Sequence, residues 1–187
     1  ECYAAIQYGL GQSYIALSDR GIDREQNLSK SIKVLTQAAH QYKDQKDESF
    51  YAEAQYNLGQ TFRRLIELKV EPVKNLGHGV HAFTEAVGAY KQKKNEPMYA
   101  DAQFNLGLSL FRLAEHNTEV VANIRQSHEA FTEAARLYKE QKDEPMYAKT
   151  QIYIGALLIA LAEENIRPEE NLRQSNQALA EAARVYK

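Results

Sequence analysis

Residues 51–62 read Tyr-Ala-Glu-Ala-Gln-Tyr-Asn-Leu-Gly-Gln-Thr-Phe, and residues 99–110 read Tyr-Ala-Asp-Ala-Gln-Phe-Asn-Leu-Gly-Leu-Ser-Leu. The two stretches lie 48 positions apart, and the same frame opens at Tyr3 and Tyr147. Working outward, Gln7, Gln55, Gln103 and Gln151 recur, then Gly11, Gly59, Gly107 and Gly155. Further on come Asn27, Asn75, Asn123 and Asn171, then Ala38, Ala86, Ala134 and Ala182, and each copy closes on Tyr-Lys. A period of this length marks a stacked array, in which each unit buries its apolar face against its neighbours. The repeats span about 1–48, 49–96, 97–144 and 145–187, one array along the chain.

Each copy predicts two helices. From Tyr51 the apolar positions step by three and four through Ala54, Leu58, Phe62, Leu65 and Ile66, the helical period. Pro97 and Pro145 suit the first helical position, so the first helix, A, starts there and runs to Glu115 in the third copy. Glu71-Pro72 and Arg167-Pro168 mark the start of the second helix, B, with Asp23 and Glu119 in the same cap column. B carries Leu76, Val80, Phe83, Val87 and Tyr90 on one face and closes on Lys91. Nothing alternates like a strand. The recurrent mid-helix glycine costs about 1 kcal/mol relative to alanine. It therefore predicts close packing, with the small column Ser31, Gly79, Ser127 and Ser175 as its counterpart, beside Leu35, Phe83, Phe131 and Leu179. The Asn27 column falls in the first turn of B and is expected to fasten the loop backbone.

These columns resemble the tetratricopeptide repeat. Copy two reads Gln55, Leu58-Gly59, Phe62, Gly79, Phe83, Ala86 and Pro97 where that family has its signature. The family repeat is 34 residues. Eight residues added between the glycine and the small residue, and six between the alanine and the proline, account for the difference. Glutamine stands where the family usually has tryptophan. The spacing is similar to the long variant found in prokaryotic multi-repeat proteins. The resemblance implies an all-α, right-handed α-solenoid of four helix-turn-helix repeats. It also implies a concave groove, lined by the A helices, that takes a peptide or a partner helix.

The positions that align with that groove are Tyr8, Tyr56, Asn57, Arg63, Arg64, Phe104, Asn105, Leu108, Phe111 and Arg112. Asparagine can bond both the N–H and the C=O of an extended peptide. Tyr56, Phe104 and Phe111 offer apolar contact, and arginine holds carboxylates in bidentate fashion. A ligand both apolar and acidic is expected. Against this stand two plainer readings: the aromatic column buried between repeats, and the arginines paired with Glu53, Glu67 or Asp101.

A net charge of −2 gives no reason to expect nucleic acid or an anionic membrane as partner. No apolar run approaches the roughly 20 residues of a membrane helix. The single cysteine, Cys2, excludes an internal disulfide and suggests a reducing, cytoplasmic setting. His78 and His81 are spaced for one metal, but their columns elsewhere hold Lys30, Lys33, Gln126 and Glu129, which are solvent-face residues. No nucleophile or acid/base constellation survives the same comparison, so neither an enzyme, a metal nor a cofactor is expected. The chain falls one linker short of four full periods and reads as a segment of a longer array. The leading function is a protein-interaction scaffold. The alternative is a structural spacer or self-associating segment of a larger, signalling or effector protein, joined end to end through its uncapped helices.

Overall fold

The computed structural model describes residues 2–186. Among them stand eight helices: α1 (Cys2–Asp19), α2 (Arg24–Asp44), α3 (Glu48–Glu67), α4 (Pro72–Gln92), α5 (Glu96–Glu115), α6 (Val120–Glu140), α7 (Glu144–Glu163) and α8 (Pro168–Val185). Odd-numbered helices are the A type and even-numbered the B type, and the fold class is all-α. The chain divides into two compact units, Glu1–Asn95 and Glu96–Lys187. Each holds two helical hairpins packed side by side, the local arrangement of an α-solenoid.

Each hairpin is drawn together at its glycine. A Cβ built on Gly59 would lie 2.6 Å from the Phe83 ring, and one on Gly11 would lie 2.5 Å from Leu35. Gly107 and Gly155 meet Phe131 and Leu179 in the same way, at 3.0 and 2.8 Å. The large residue of the B helix therefore fills the space that a side chain on A would take. The small column has a second role. Ser31, Ser127 and Ser175 donate their hydroxyls to the carbonyls of Gly11, Gly107 and Gly155, at 3.0, 2.7 and 3.0 Å. The second hairpin has Gly79 at that position and makes no such bond.

The tight A-to-B turns share one construction. Lys69 N–H donates to the Ile66 carbonyl and Val70 N–H to the Leu65 carbonyl, a Schellman ending, with Lys69 in the left-handed region at φ 61°. The Asn75 side chain then donates to the Val70 carbonyl at 2.7 Å. Asn27, Asn123 and Asn171 do the same to Ile22, Thr118 and Ile166. The asparagine column thus fastens a loop carbonyl in every A-to-B turn.

The cap column behaves differently from its sequence reading. Asp23, Glu71, Glu119 and Arg167 all adopt left-handed backbone, at φ 37–42°, and none caps its helix with its side chain. Side-chain caps stand instead at the start of A helices. Asp47 accepts from Phe50 N–H at 3.3 Å and Asp143 from Met146 N–H at 3.1 Å. Pro145 accordingly lies inside α7, one residue past its start.

Candidate functional site

The two units present different A-helix surfaces. In the first, Tyr8 of α1 is half-buried between Tyr42 and Phe50, each edge-on at 6.4 Å. Its hydroxyl donates to Glu53 at 3.0 Å and accepts from the Asn57 amide at 2.9 Å. Burial, and then the Glu53 carboxylate, push the Tyr8 phenol well above its ordinary range. Asn57 is thereby engaged inside the protein. Tyr56 packs edge-on against Phe83 and Tyr90, at 5.8 and 6.4 Å, and accepts from Gln60 at 3.0 Å.

The adjacent arginines diverge. Arg64 forks onto Asp19 of the preceding hairpin, Nε to Oδ1 at 2.8 Å and Nη2 to Oδ2 at 3.0 Å. That bond holds the Asp19 carboxyl below the usual carboxylate range, with the charges of Arg64, Arg24 and Arg63 adding to it. Arg63 has no ion pair among the described residues, and its Nε is buried without a hydrogen-bond partner. Asp19 is thus forked by Arg64, while Arg63 acts on it only through its charge.

In the second unit, Phe104 is buried, only 4% exposed. It sits edge-on to Phe131, Tyr138 and Tyr153 at 5.4, 6.5 and 5.6 Å, with Lys149 Nζ 5.1 Å from its ring. Asn105 is buried too, its amide donating to the Asp101 carbonyl at 2.8 Å. Asp101 in turn accepts from the Tyr138 hydroxyl at 2.7 Å. Phe104 is thus buried with Tyr153 of the next repeat over it, as the plainer reading of the aromatic column has it, and Asn105 is buried beside it. Leu108, Phe111 and Arg112 are half-buried, and on α7 Ile152 and Ile159 are exposed.

Sequence reasoning missed Asp19 as the arginine partner and Tyr153 as the cover of Phe104. The signal for the second was present: Tyr153 stands in the column that holds Asn57 and Asn105, and a bulky ring there has to pack on something. It stacks on Phe131 at 5.2 Å. The glutamine column is polar and partly buried, and Gln103 donates to the Tyr99 hydroxyl at 3.1 Å.

Among the described residues, no group of three His, Cys, Asp or Glu side chains could hold a metal ion. His78 lies against the Phe62 ring at 5.2 Å. Cys2 is exposed and free. No described helix is long and apolar enough to cross a membrane.

No protein-family model matches this chain, and no curated protein matches it. Among solved structures, it is similar to the DHF58 filament, with a TM-score of 0.48 at 14% identity over 98% of this chain and 92% of that one. The de novo designed helical repeat protein DHR64 gives a TM-score of 0.47 at 14% identity, with the same coverage.

Proposed function

We propose that the chain is a protein-interaction scaffold of tetratricopeptide-like repeats, rather than an enzyme, and that it binds a peptide or helical segment along its A helices. The observation that carries this reading is Arg63. A guanidinium without an ion pair of its own, beside an arginine that already holds Asp19, favours a carboxylate from outside. In the other unit, exposed Ile152 and Ile159 lie seven apart on α7, the spacing of one helical face, and supply apolar contact. An acidic group suits Arg63, and aliphatic side chains suit the α7 face. The test is a library of acidic-aliphatic peptides. Saturable binding by wild type that is lost in Arg63→Glu, with an unchanged melting curve, supports the reading. Equal binding by both proteins counts against it.

A second reading, end-to-end self-association, rests on the terminal helices. Tyr3, Ile6 and Leu10 of α1 are 56, 58 and 42% exposed, whereas Tyr51, Ala54 and Leu58 in the same columns are buried. Leu172 and Leu179 of α8 and Tyr186 just past its end are 46, 36 and 65% exposed, against at most 4% for Leu28, Leu35 and Tyr42. The bared positions of the last hairpin correspond to positions buried in the first, which has a following hairpin packed on it, and those bared on α1 correspond to positions buried on α3. Copies of the chain would therefore fit one another head to tail.

A further inference from the structure

A cleft between α2 and α4, floored by α3, shares no residue with the surface described above. Its volume is about 260 Å³, and Lys43, Glu48, Tyr51, Glu85 and Gly88 line it. Comparison of the repeats explains why it is open. Glu85, Glu133 and Glu181 occupy one column of the B helices. Glu133 holds Arg136, three residues on, through Nε at 2.9 Å and Nη2 at 3.0 Å, a planar fork. Glu181 holds Arg184 in the same register at 2.5 Å. In α4 that arginine position is Gly88, and a Cβ there would meet nothing within 4 Å.

Glu85 is consequently left on the cleft. The buried Tyr51 donates its hydroxyl to Glu85 Oε2 and fixes the carboxylate in place. Lys43 is a distant second partner, 3.9 Å from the same oxygen and largely exposed. Oε1 accepts no hydrogen bond among the described residues. Glu48 and Glu85 against Lys43 leave the cleft one negative charge in excess.

We propose that this cleft is a binding site for the guanidinium of an arginine side chain on a partner protein, which takes the place that Arg136 and Arg184 fill in the third and fourth repeats. A planar fork suits a held carboxylate better than an ammonium does, because it bonds two oxygens at fixed spacing. The carboxylate is already oriented, so little ordering is lost on binding.

The probe is N-acetyl-arginine amide, titrated while the Gly88 amide and Glu85 carboxyl resonances are followed by NMR, with N-acetyl-lysine amide beside it. A saturating shift in roughly the millimolar range is expected, the range of a single side-chain-sized fragment. The lysine amide should bind several-fold more weakly. Gly88→Arg, which fills the cleft from its own helix, and Glu85→Gln should both abolish the response with the fold intact by circular dichroism. A linear, unsaturated shift, an equal response to the lysine amide, or an unchanged response in Gly88→Arg would overturn the proposal.

Discussion

Ser127 donates its hydroxyl to the carbonyl of Gly107 across 2.7 Å, and the Phe131 ring lies 3.0 Å from where a Gly107 Cβ would be. One small residue on each helix thus lets the axes meet, and the close approach is closed by a hydrogen bond. The magnitudes set an order among substitutions. Alanine gains up to about 1 kcal/mol over glycine in a helix, whereas overpacking costs about 1–3 kcal/mol. Gly107→Ala, with its 3.0 Å contact, should be near neutral. Gly59→Ala, at 2.6 Å from Phe83, should be clearly destabilising. Urea unfolding of the two variants checks this, and a stabilised Gly59→Ala would refute the packing account.

The loop asparagine gives a second comparison. Asn75→Ala strands the Val70 carbonyl and should cost about 1–3 kcal/mol. Glu71→Gln, four residues earlier at a helix start where the side chain caps nothing, should change stability by less than about 0.5 kcal/mol. Chemical denaturation separates them. Equal effects would mean that the helix start, not the asparagine bond, fixes the turn.

The glycine, serine and asparagine columns were legible because repetition turns a packing requirement into a visible recurrence. Each of these residues acts within its own hairpin, so the copies repeat it, with Gly79 in place of serine in the second. The residues that fasten one hairpin to the next were not legible in the same way. Asp19 binds Arg64 across 45 positions, between columns that do not correspond. Tyr8 reaches Glu53 and Asn57 across the same junction. Such pairs depend on how far successive hairpins are shifted, which periodicity does not encode. Phe104 reads as a groove residue until Tyr153 is seen to cover it. Left-handed backbone at Glu71 and Arg167, each directly before a proline, also runs against the extended conformation that this position favours.

Tyr51 makes the fold sensitive to alkali. Burial, with the hydrogen bond to Glu85, pushes its phenol up to about 12 from 10.0. A raised folded pKa contributes stability that is complete below the unfolded value and lost as pH climbs through the folded one. Stability should therefore hold to about pH 10 and fall between about 10 and 12. In Tyr51→Phe the fall should be shallower, leaving the part due to Tyr8 and Tyr42, whose phenols are raised as well. Urea midpoints across that range, with phenolate absorbance in parallel, make the test. Identical profiles for both proteins would exclude Tyr51 as a source.

The exposed terminal faces predict concentration-dependent size. Sedimentation over a dilution series should show growth by association at high concentration. Ile6→Lys together with Tyr186→Lys should return the chain to monomer. A wild type that stays monomeric throughout would rule out the head-to-tail reading.

The central claim is that the A-helix surface recruits a partner. Its most direct test is affinity capture from the source lysate, read by mass spectrometry, with wild type beside Arg63→Glu and beside Ile152→Glu, Ile159→Glu. These positions are preferable to Tyr56 and Arg64, which the fold uses for its own packing and pairing. The account predicts a protein captured by wild type and lost from a variant that melts normally. The same profile for all three would contradict it.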